Sequence, residues 1–245
     1  MTHFSDNLYL GGLPSRELVG KAIAPGYGGF GIGPMGQVWV YDITPVTLDP
    51  DGIAVAQGLT SGTPMTLNGA LVSGGTGVFD VPRSVTITGQ SATNLSGINF
   101  TIVGTDYYNK PMSQVIAGPN GAVLVQTTKA FMTVTSVTPN GTNAAQVIVG
   151  SGDRFGLPFR VTGVQDVVSA RWAAVAGFDT GAIVAGDATS PATTTTGDVR
   201  GTYTPSTASN GTNRLVVVVY APVSQIGPDV PSHVNVFGVR QNLDA

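Results

Sequence analysis

Between Ser84 and Gly150 the chain reads as a succession of short strands, and the rest has to be fitted around them. The runs are SVTITG, INFTIVGTD, SQVIAG, AVLVQ, KAFMTVTSV and QVIVG, with turn residues between them. In the first run Val85 and Ile87 point one way and Thr86 and Thr88 the other. Such a period of two marks a strand buried on one face. Asn120-Gly121 and Asn140-Gly141 read as hairpin turns, because a type I′ turn needs positive φ at both central residues. The block is therefore expected to form an antiparallel meander or one half of a sandwich.

The flanks follow the same logic. A chain of 245 residues holds one large β domain or two small ones. Charged residues make up only 10% and Glu17 is the sole glutamate, so the long polar helix formers are scarce. The expected fold is all-β: an antiparallel β-sandwich or jelly-roll-like body, one large or two small, with an extended Gly-rich N-terminal arm. Residues 1–36 are read as that arm. It carries Phe4, Leu8, Tyr9 and Leu10, a short helix candidate over Ser15–Ile23, and the glycine run 26–36. Residues 37–152 form the β-sandwich region. Residues 153–245 form a second β region, separate from the first or continuous with it.

Within these regions Gln37–Thr44 is a strand, with Trp39, Tyr41 and Ile43 on one face and Val38, Val40 and Asp42 on the other. Ile53–Gln57 and Met65–Val72 are further apolar runs, the second folded at Asn68-Gly69. Pro158 makes Arg154–Thr162 an edge or a connection. Gln165–Phe178 fits a strand with Val168, Ala170 and Trp172 on one face, or a helix; the β neighbourhood favours the strand. Residues 186–212 are a long loop or exposed hairpin. Arg214–Tyr220 (RLVVVVY) is expected to be a strand buried on both faces. His233–Val239 is the last strand candidate.

Several function classes lose their support. The net charge is -3 and no Lys/Arg cluster exists, so a nucleic-acid footprint is not expected. There is no cysteine to hold a disulfide or a thiolate-bound metal. The N-terminal residues lack the pattern of a secretory signal, and no apolar run is long enough for a membrane-spanning helix. With so few charges, either Thr, Ser and Asn keep the surface wet or partners cover much of it.

Gly31, Gly33 and Gly36 spell G-x-G-x-x-G, but Pro34 sits inside the motif and a strand follows, where a dinucleotide site needs a helix. His3 and His233 are the only histidines, and no G-x-S-x-G elbow accompanies them. Asp49, Asp51, Asp106, Asp153, Asp187 and Asp198 are scattered, mostly in turn-forming company. Asp49-Pro50-Asp51-Gly52 lacks the later ligands of a calcium loop. Trp39, Tyr41, Phe155, Phe159 and Trp172 suit packing better than a sugar platform. No catalytic, cofactor or metal site is expected, and the chain is read as not an enzyme.

Two stretches carry a resemblance. FTIVGTDYYNKPMSQVIAGPNGAVLVQTTKAFMTVTSV resembles a β pattern recurring in virion proteins of tailed bacteriophages, above all in IVGTD and TTKAFMTVTSV. RFGLPFRVTGVQDVVSARW, with AGDATSPATTTTGDVRGTYTPSTASNGTNRLVVVVY, resembles the remainder of a phage head protein of the decoration (cement) kind. Together they lie within residues 100–220. The resemblance implies a virion structural protein on the capsid surface, associating as a dimer or trimer and clamping neighbouring subunits of the major capsid protein. The expected contact residues are Phe4, Tyr9 and Leu10 in the arm, then Phe155, Phe159 and Arg160 beside an edge. The chain is longer than the smallest cement proteins. That leaves open a tail- or fibre-associated protein binding host-surface carbohydrate, with a β enzyme built on paired Asp or Asp-His as a further rival.

Overall fold

The computed structural model describes residues 36–161, 163–173, 176–186, 200–222, 235–236 and 239–240. Residues 1–35 of the expected arm, its helix candidate and both histidines lie outside these residues, while Gly36, expected as the end of the arm, opens the first strand. Within them the protein is all-β and antiparallel, a sandwich in which one sheet curls into a half-barrel. In chain order the strands are β1 (Gly36–Ile43), β2 (Ala54–Leu59), β3 (Val72–Ser73), β4 (Thr76–Gly89), β5 (Asn99–Thr105), β6 (Pro111–Ala117), β7 (Leu124–Gln126) and β8 (Phe131–Pro139). There follow β9 (Asn143–Gly156), a 3-10 turn at Val164–Asp166, β10 (Val167–Trp172), β11 (Ala182–Ala185), β12 (Gly201–Thr204), β13 (Leu215–Pro222), β14 (Asn235–Val236) and β15 (Val239–Arg240). No helix among the described residues is long and apolar enough to cross a membrane.

Ten strands form the large sheet, in the order β11-β12-β9-β4-β8-β5-β6, with β2 added on β9 and β3 and β7 on β4. A second sheet has the order β1-β13-β10, and β14 pairs only with β15. The alternation read from the sequence builds the first core. Phe100 and Ile102 of β5, Val134 and Val137 of β8, and Val147 and Val149 of β9 are fully buried, together with Val85 and Ile87 of β4, whose other face, at Ser84 and Thr86, is buried as well and so is not the open polar face the alternation suggested. Each such apolar side chain contributes about 1.5–3 kcal/mol relative to exposure.

The strands β4 and β9, at 14 residues each, run on past this core. Their pairing shifts register between Arg83 and Val85, and beyond the shift both strands face a second core. That core is closed by the three-stranded sheet. It contains Tyr41 and Ile43 of β1, Phe155 of β9, Trp172 of β10, Tyr203 of β12, and Leu215, Val217 and Val219 of β13. The first strand of the described chain thus packs with the last third, paired residue by residue from Gly36↔Pro222 to Ile43↔Leu215. Position 150 must be glycine for this arrangement: a Cβ there would lie 2.0 Å from the Asp49 carbonyl oxygen, where residues 49–50 cross β9.

Several local expectations change. Met65–Val72 is a connection, not a hairpin: Asn68 and Gly69 both donate backbone hydrogen bonds to the Ile53 carbonyl. Asn120-Gly121 joins β6 to β7, which pair with β5 and β4 and not with each other. Asn140-Gly141 links β8 to β9, but β4 lies between those strands in the sheet, so the expected hairpin does not form there, and neither residue has positive φ. Gln165–Phe178 contains a strand, yet a bulge between Val167 and Ser169 turns Val168 away from the face of Ala170 and Trp172. Strand β13 is buried on one face only: Leu215, Val217 and Val219 point inward, while Val216 and Val218 are half-buried on the other side. The expected strand over His233–Val239 contributes instead to two strands of two residues each.

Candidate contact surface

Of the six expected contact residues, Phe4, Tyr9 and Leu10 lie outside the described residues. Phe155 and Phe159 lie inside the body, not beside an open edge. Phe155 pairs across the sheet with both Arg83 and Tyr203, which places it between two strands. Phe159 is 3% exposed and packs edge-on against Tyr41, so neither phenylalanine is open to a partner. Residues 157–161 are indeed a connection, as Pro158 suggested, but a buried one. Leu157 and Val161 donate backbone hydrogen bonds to the carbonyls of Gly201 and Arg200 and seal the second core. Arg160 is half-buried on the same segment.

The scattered aspartates sort by the arginines they meet. Arg83 is fully buried where β4 changes partners. Its Nε lies 3.0 Å from Asp80 Oδ1, its Nη1 lies 3.6 Å from Asp153 Oδ1, and its Nη2 donates to the Val46 carbonyl. The guanidinium carbon sits 5.2 Å from the Phe155 ring centroid. Asp80 Oδ2 accepts from the Val46 amide at 2.8 Å, and Asp153 accepts from the amide and hydroxyl of buried Ser209 at 2.8 and 2.6 Å. This one cluster therefore pins the crossing from β1 to β2 and the loop leading from β12 into β13, two of the segments that connect the sheets.

A second buried pair joins Arg200 Nη1 to Asp106 Oδ2 at 2.6 Å. The other Asp106 oxygen accepts from the Tyr108 and Lys110 amides at 2.8 Å, which closes the β5–β6 loop. Tyr108 lies under the Arg200 guanidinium and donates its hydroxyl to the Pro158 carbonyl. Burial pushes the Tyr108 hydroxyl well above its ordinary range. Asp49 and Asp51 share a tight turn, where burial and then the neighbouring Asp51 raise the Asp49 carboxyl. Among the described residues no group of His, Cys, Asp or Glu is placed to hold a metal ion. Asp106 and Asp153 are thus engaged by buried arginines in holding loops, and Asp187 and Asp198 lie outside the described residues.

Single exposed apolar side chains also dot the large sheet, among them Val78, Val123 and Leu124, but the outer face of the three-stranded sheet gathers several together. Register sets Val40 beside Val218 and Ser169 in one row, and Asp42 beside Val216 and Arg171 in the next. Val40 is 46% exposed, and the bulge leaves Val168 60% exposed at the β10 edge. Phe178, 64% exposed, lies 5.6 Å from the Arg171 guanidinium carbon, a cation–π contact at the same border. At the opposite border Arg214 grips Asp42 with both ends of its fork, Nε to Oδ1 at 2.7 Å and Nη2 to Oδ2. Those hydrogen bonds hold the Asp42 carboxyl below the usual carboxylate range. The result is an apolar centre with a charged rim. Arginine and aromatic groups at the border of an apolar patch are the usual anatomy of an interface.

The sequence held a signal for this face that was read differently. Four consecutive valines cannot all enter one core, so a run like Val216–Val219 either lies between two layers or leaves apolar side chains exposed. Only whether a second layer covers the run, a tertiary fact, decides between them, and among the described residues none covers Val216 and Val218 completely. Comparison with protein-family models, with curated proteins and with solved structures finds no match for the chain.

Proposed function

We propose that the chain is a non-enzymatic structural protein of a tailed phage virion, binding the outer surface of the capsid and bridging subunits of the major capsid protein. The observation that carries this reading is the apolar outer face of the β1-β13-β10 sheet. A face of Val40, Val168, Val216, Val218 and Phe178 is costly to leave in water and favourable to cover, at about 25 cal/mol per Å² before the cost of association. The sequence resemblance supplies the class of partner. A protein that binds the assembled shell and not its free subunits stabilises the shell by mass action. Self-association into a dimer or trimer multiplies modest contacts through effective concentration. Phe4, Tyr9 and Leu10 remain proposed contacts beside this face; Phe155 and Phe159 do not.

The test is sedimentation of purified protein with undecorated heads. Stoichiometric co-sedimentation and greater heat resistance of the heads are expected. Val168→Asp with Phe178→Asp should abolish binding without lowering the melting temperature, because both side chains are exposed. A protein that never sediments with heads, or a double variant that binds as well as the parent, rules the proposal out.

A further inference from the structure

The chain contains four Asn-Gly pairs, and their surroundings differ in a way that matters for backbone chemistry. Asparagine before glycine can cyclise. The glycine amide nitrogen gives up its proton and attacks the asparagine Cγ, and a C–N bond forms. The tetrahedral centre then collapses by expelling the side-chain nitrogen as ammonia. Water opens the resulting succinimide at either carbonyl, leaving aspartate or isoaspartate. The balance is one amide and one water in, one carboxylate and one ammonium out, with no oxidation. The step needs a glycine nitrogen free to attack and stabilisation of the negative charge that develops on Oδ1.

At two pairs the nucleophile is tied. Gly69 donates its N–H to the Ile53 carbonyl at 3.1 Å, and Gly121 donates to the Thr93 carbonyl at 3.1 Å. At Asn140 the start of β5 clamps the asparagine itself. Its amide donates to the Asn99 carbonyl at 2.9 Å, and its Oδ1 accepts a single hydrogen bond, from the Asn99 amide at 2.8 Å.

Asn210-Gly211 shares with Asn140-Gly141 an exposed asparagine and a glycine amide free of backbone hydrogen bonds among the described residues, but differs in how its asparagine oxygen is held. Both residues are exposed, and the Gly211 N–H donates no backbone hydrogen bond among the described residues. Gly211 has φ +80°, and its nearest neighbour atom to an added Cβ would be Thr47 Oγ1 at 3.5 Å, so nothing crowds its approach. Asn210 Oδ1 accepts three hydrogen bonds: the Thr212 amide at 3.0 Å, the Thr212 hydroxyl at 3.0 Å and the Asn213 amide at 2.8 Å. Three donors converging on the oxygen that becomes anionic are the arrangement of an oxyanion hole.

We infer that Asn210 is a self-modification site, at which the Thr212 and Asn213 donors promote succinimide formation by Gly211 and conversion to aspartate or isoaspartate. The setting gives the change a consequence. Ser209, one residue before, is held by Asp153, and Arg214 by Asp42. Isoaspartate adds a methylene to the backbone between those two fixed points. None of this depends on what the apolar face binds.

The experiment is ageing of the full-length folded protein in mildly alkaline buffer, followed by peptide mapping with mass spectrometry and isoaspartyl methylation. Asn210 should convert first and Asn140 more slowly. Asn68 and Asn120 should react only when the protein is unfolded with denaturant. Thr212→Val removes one donor while keeping the shape. It should slow conversion at Asn210 by about tenfold, short of the ~100-fold that one such donor contributes in an enclosed site. Equal rates at all four pairs in the folded protein would overturn the inference. So would faster conversion in Thr212→Val, since the hydrogen bonds would then be protecting Asn210 rather than activating it.

Discussion

Asp153→Ala tests whether the buried arginine cluster holds the two sheets together. Asp153 faces Arg83 at 3.6 Å and receives both polar groups of Ser209, a residue only 4% exposed. Truncation leaves the Ser209 amide and hydroxyl without their acceptor, and each such buried group costs about 1–3 kcal/mol. Breaking one side of a buried ion pair costs about 3–5 kcal/mol when nothing else compensates. Asp80 still faces Arg83 at 3.0 Å, so the lower part of each range applies. The expected loss is about 5 kcal/mol in all. For a domain of this size that lowers the melting temperature by about 10 °C.

Trp172 is a convenient reporter. Its indole N–H donates to Thr207 Oγ1 at 2.8 Å, on the same loop that Asp153 holds through Ser209. Thermal and urea unfolding followed by tryptophan fluorescence should both shift. Asp153→Asn keeps one acceptor oxygen for Ser209 and should lose roughly half as much. Ser209→Ala made in the parent and in Asp153→Ala should show a coupling of at least about 1 kcal/mol, as contacting residues do. A loss below about 1 kcal/mol in Asp153→Ala, with no coupling to Ser209, would refute the argument that this carboxylate fastens the loop.

Two further outcomes follow from titratable groups. Asp42 has its folded-state pKa depressed by Arg214, so the pair contributes above the unfolded aspartate value of about 3.9 and is lost as pH falls through the folded one. Asp42→Asn should therefore flatten the acid side of a melting-temperature profile by lowering the melting temperature slightly at neutral pH and leaving it unchanged at the acid end, where the parent has lost the pair too; an identical acid slope in both proteins would count against the pair. On the alkaline side, burial raises Tyr41, Tyr108 and Tyr203 above the ordinary tyrosine range. Neutral tyrosine then contributes stability below about pH 10 that is lost as pH rises further. Phenolate absorbance from these residues should appear only with loss of the β circular-dichroism signal, and their ionisation in a native spectrum would contradict the burial.

The sequence was legible where one face of a strand is apolar and the other polar. Phe100 and Ile102 against Thr101 and Val103, or Tyr41 and Ile43 against Val40 and Asp42, announce both strand and orientation. It was less legible where chemistry local to the chain is overridden by distant contacts. Asn68-Gly69 has hairpin chemistry, but the Ile53 carbonyl captures both amides and makes a connection of it. Phe155 and Phe159 are aromatic and lie beside a proline, which suits a surface as well as a core. Only the long strand β9 and the closing sheet decide that they are inside. Arg83 and Arg200 gave no sign of burial, because a partner of each lies far along the chain, Asp153 for the first and Asp106 for the second, and the nearby Asp80 reads equally well as a surface pair with Arg83.

The asymmetry of the three-stranded sheet links fold to proposed function. Its inner face closes the second core with Leu215, Val217 and Val219, and that role alone would be served equally well by polar residues outside. Instead Val218 sits opposite Val40 and Val216 beside it opposite Asp42, with Val168 lifted out by a bulge and Phe178 laid against Arg171. Threonine in place of those valines would suit a strand and wet the surface. Apolar side chains there add nothing to the inner core and reduce solubility unless something covers them. The Asp42–Arg214 pair on one side and Arg171 on the other give such a cover a fixed orientation, since a partner must match charge as well as shape. A cover set by rim charges predicts that binding to heads weakens with salt while protein stability does not. Salt-insensitive binding would place the contact elsewhere on the molecule.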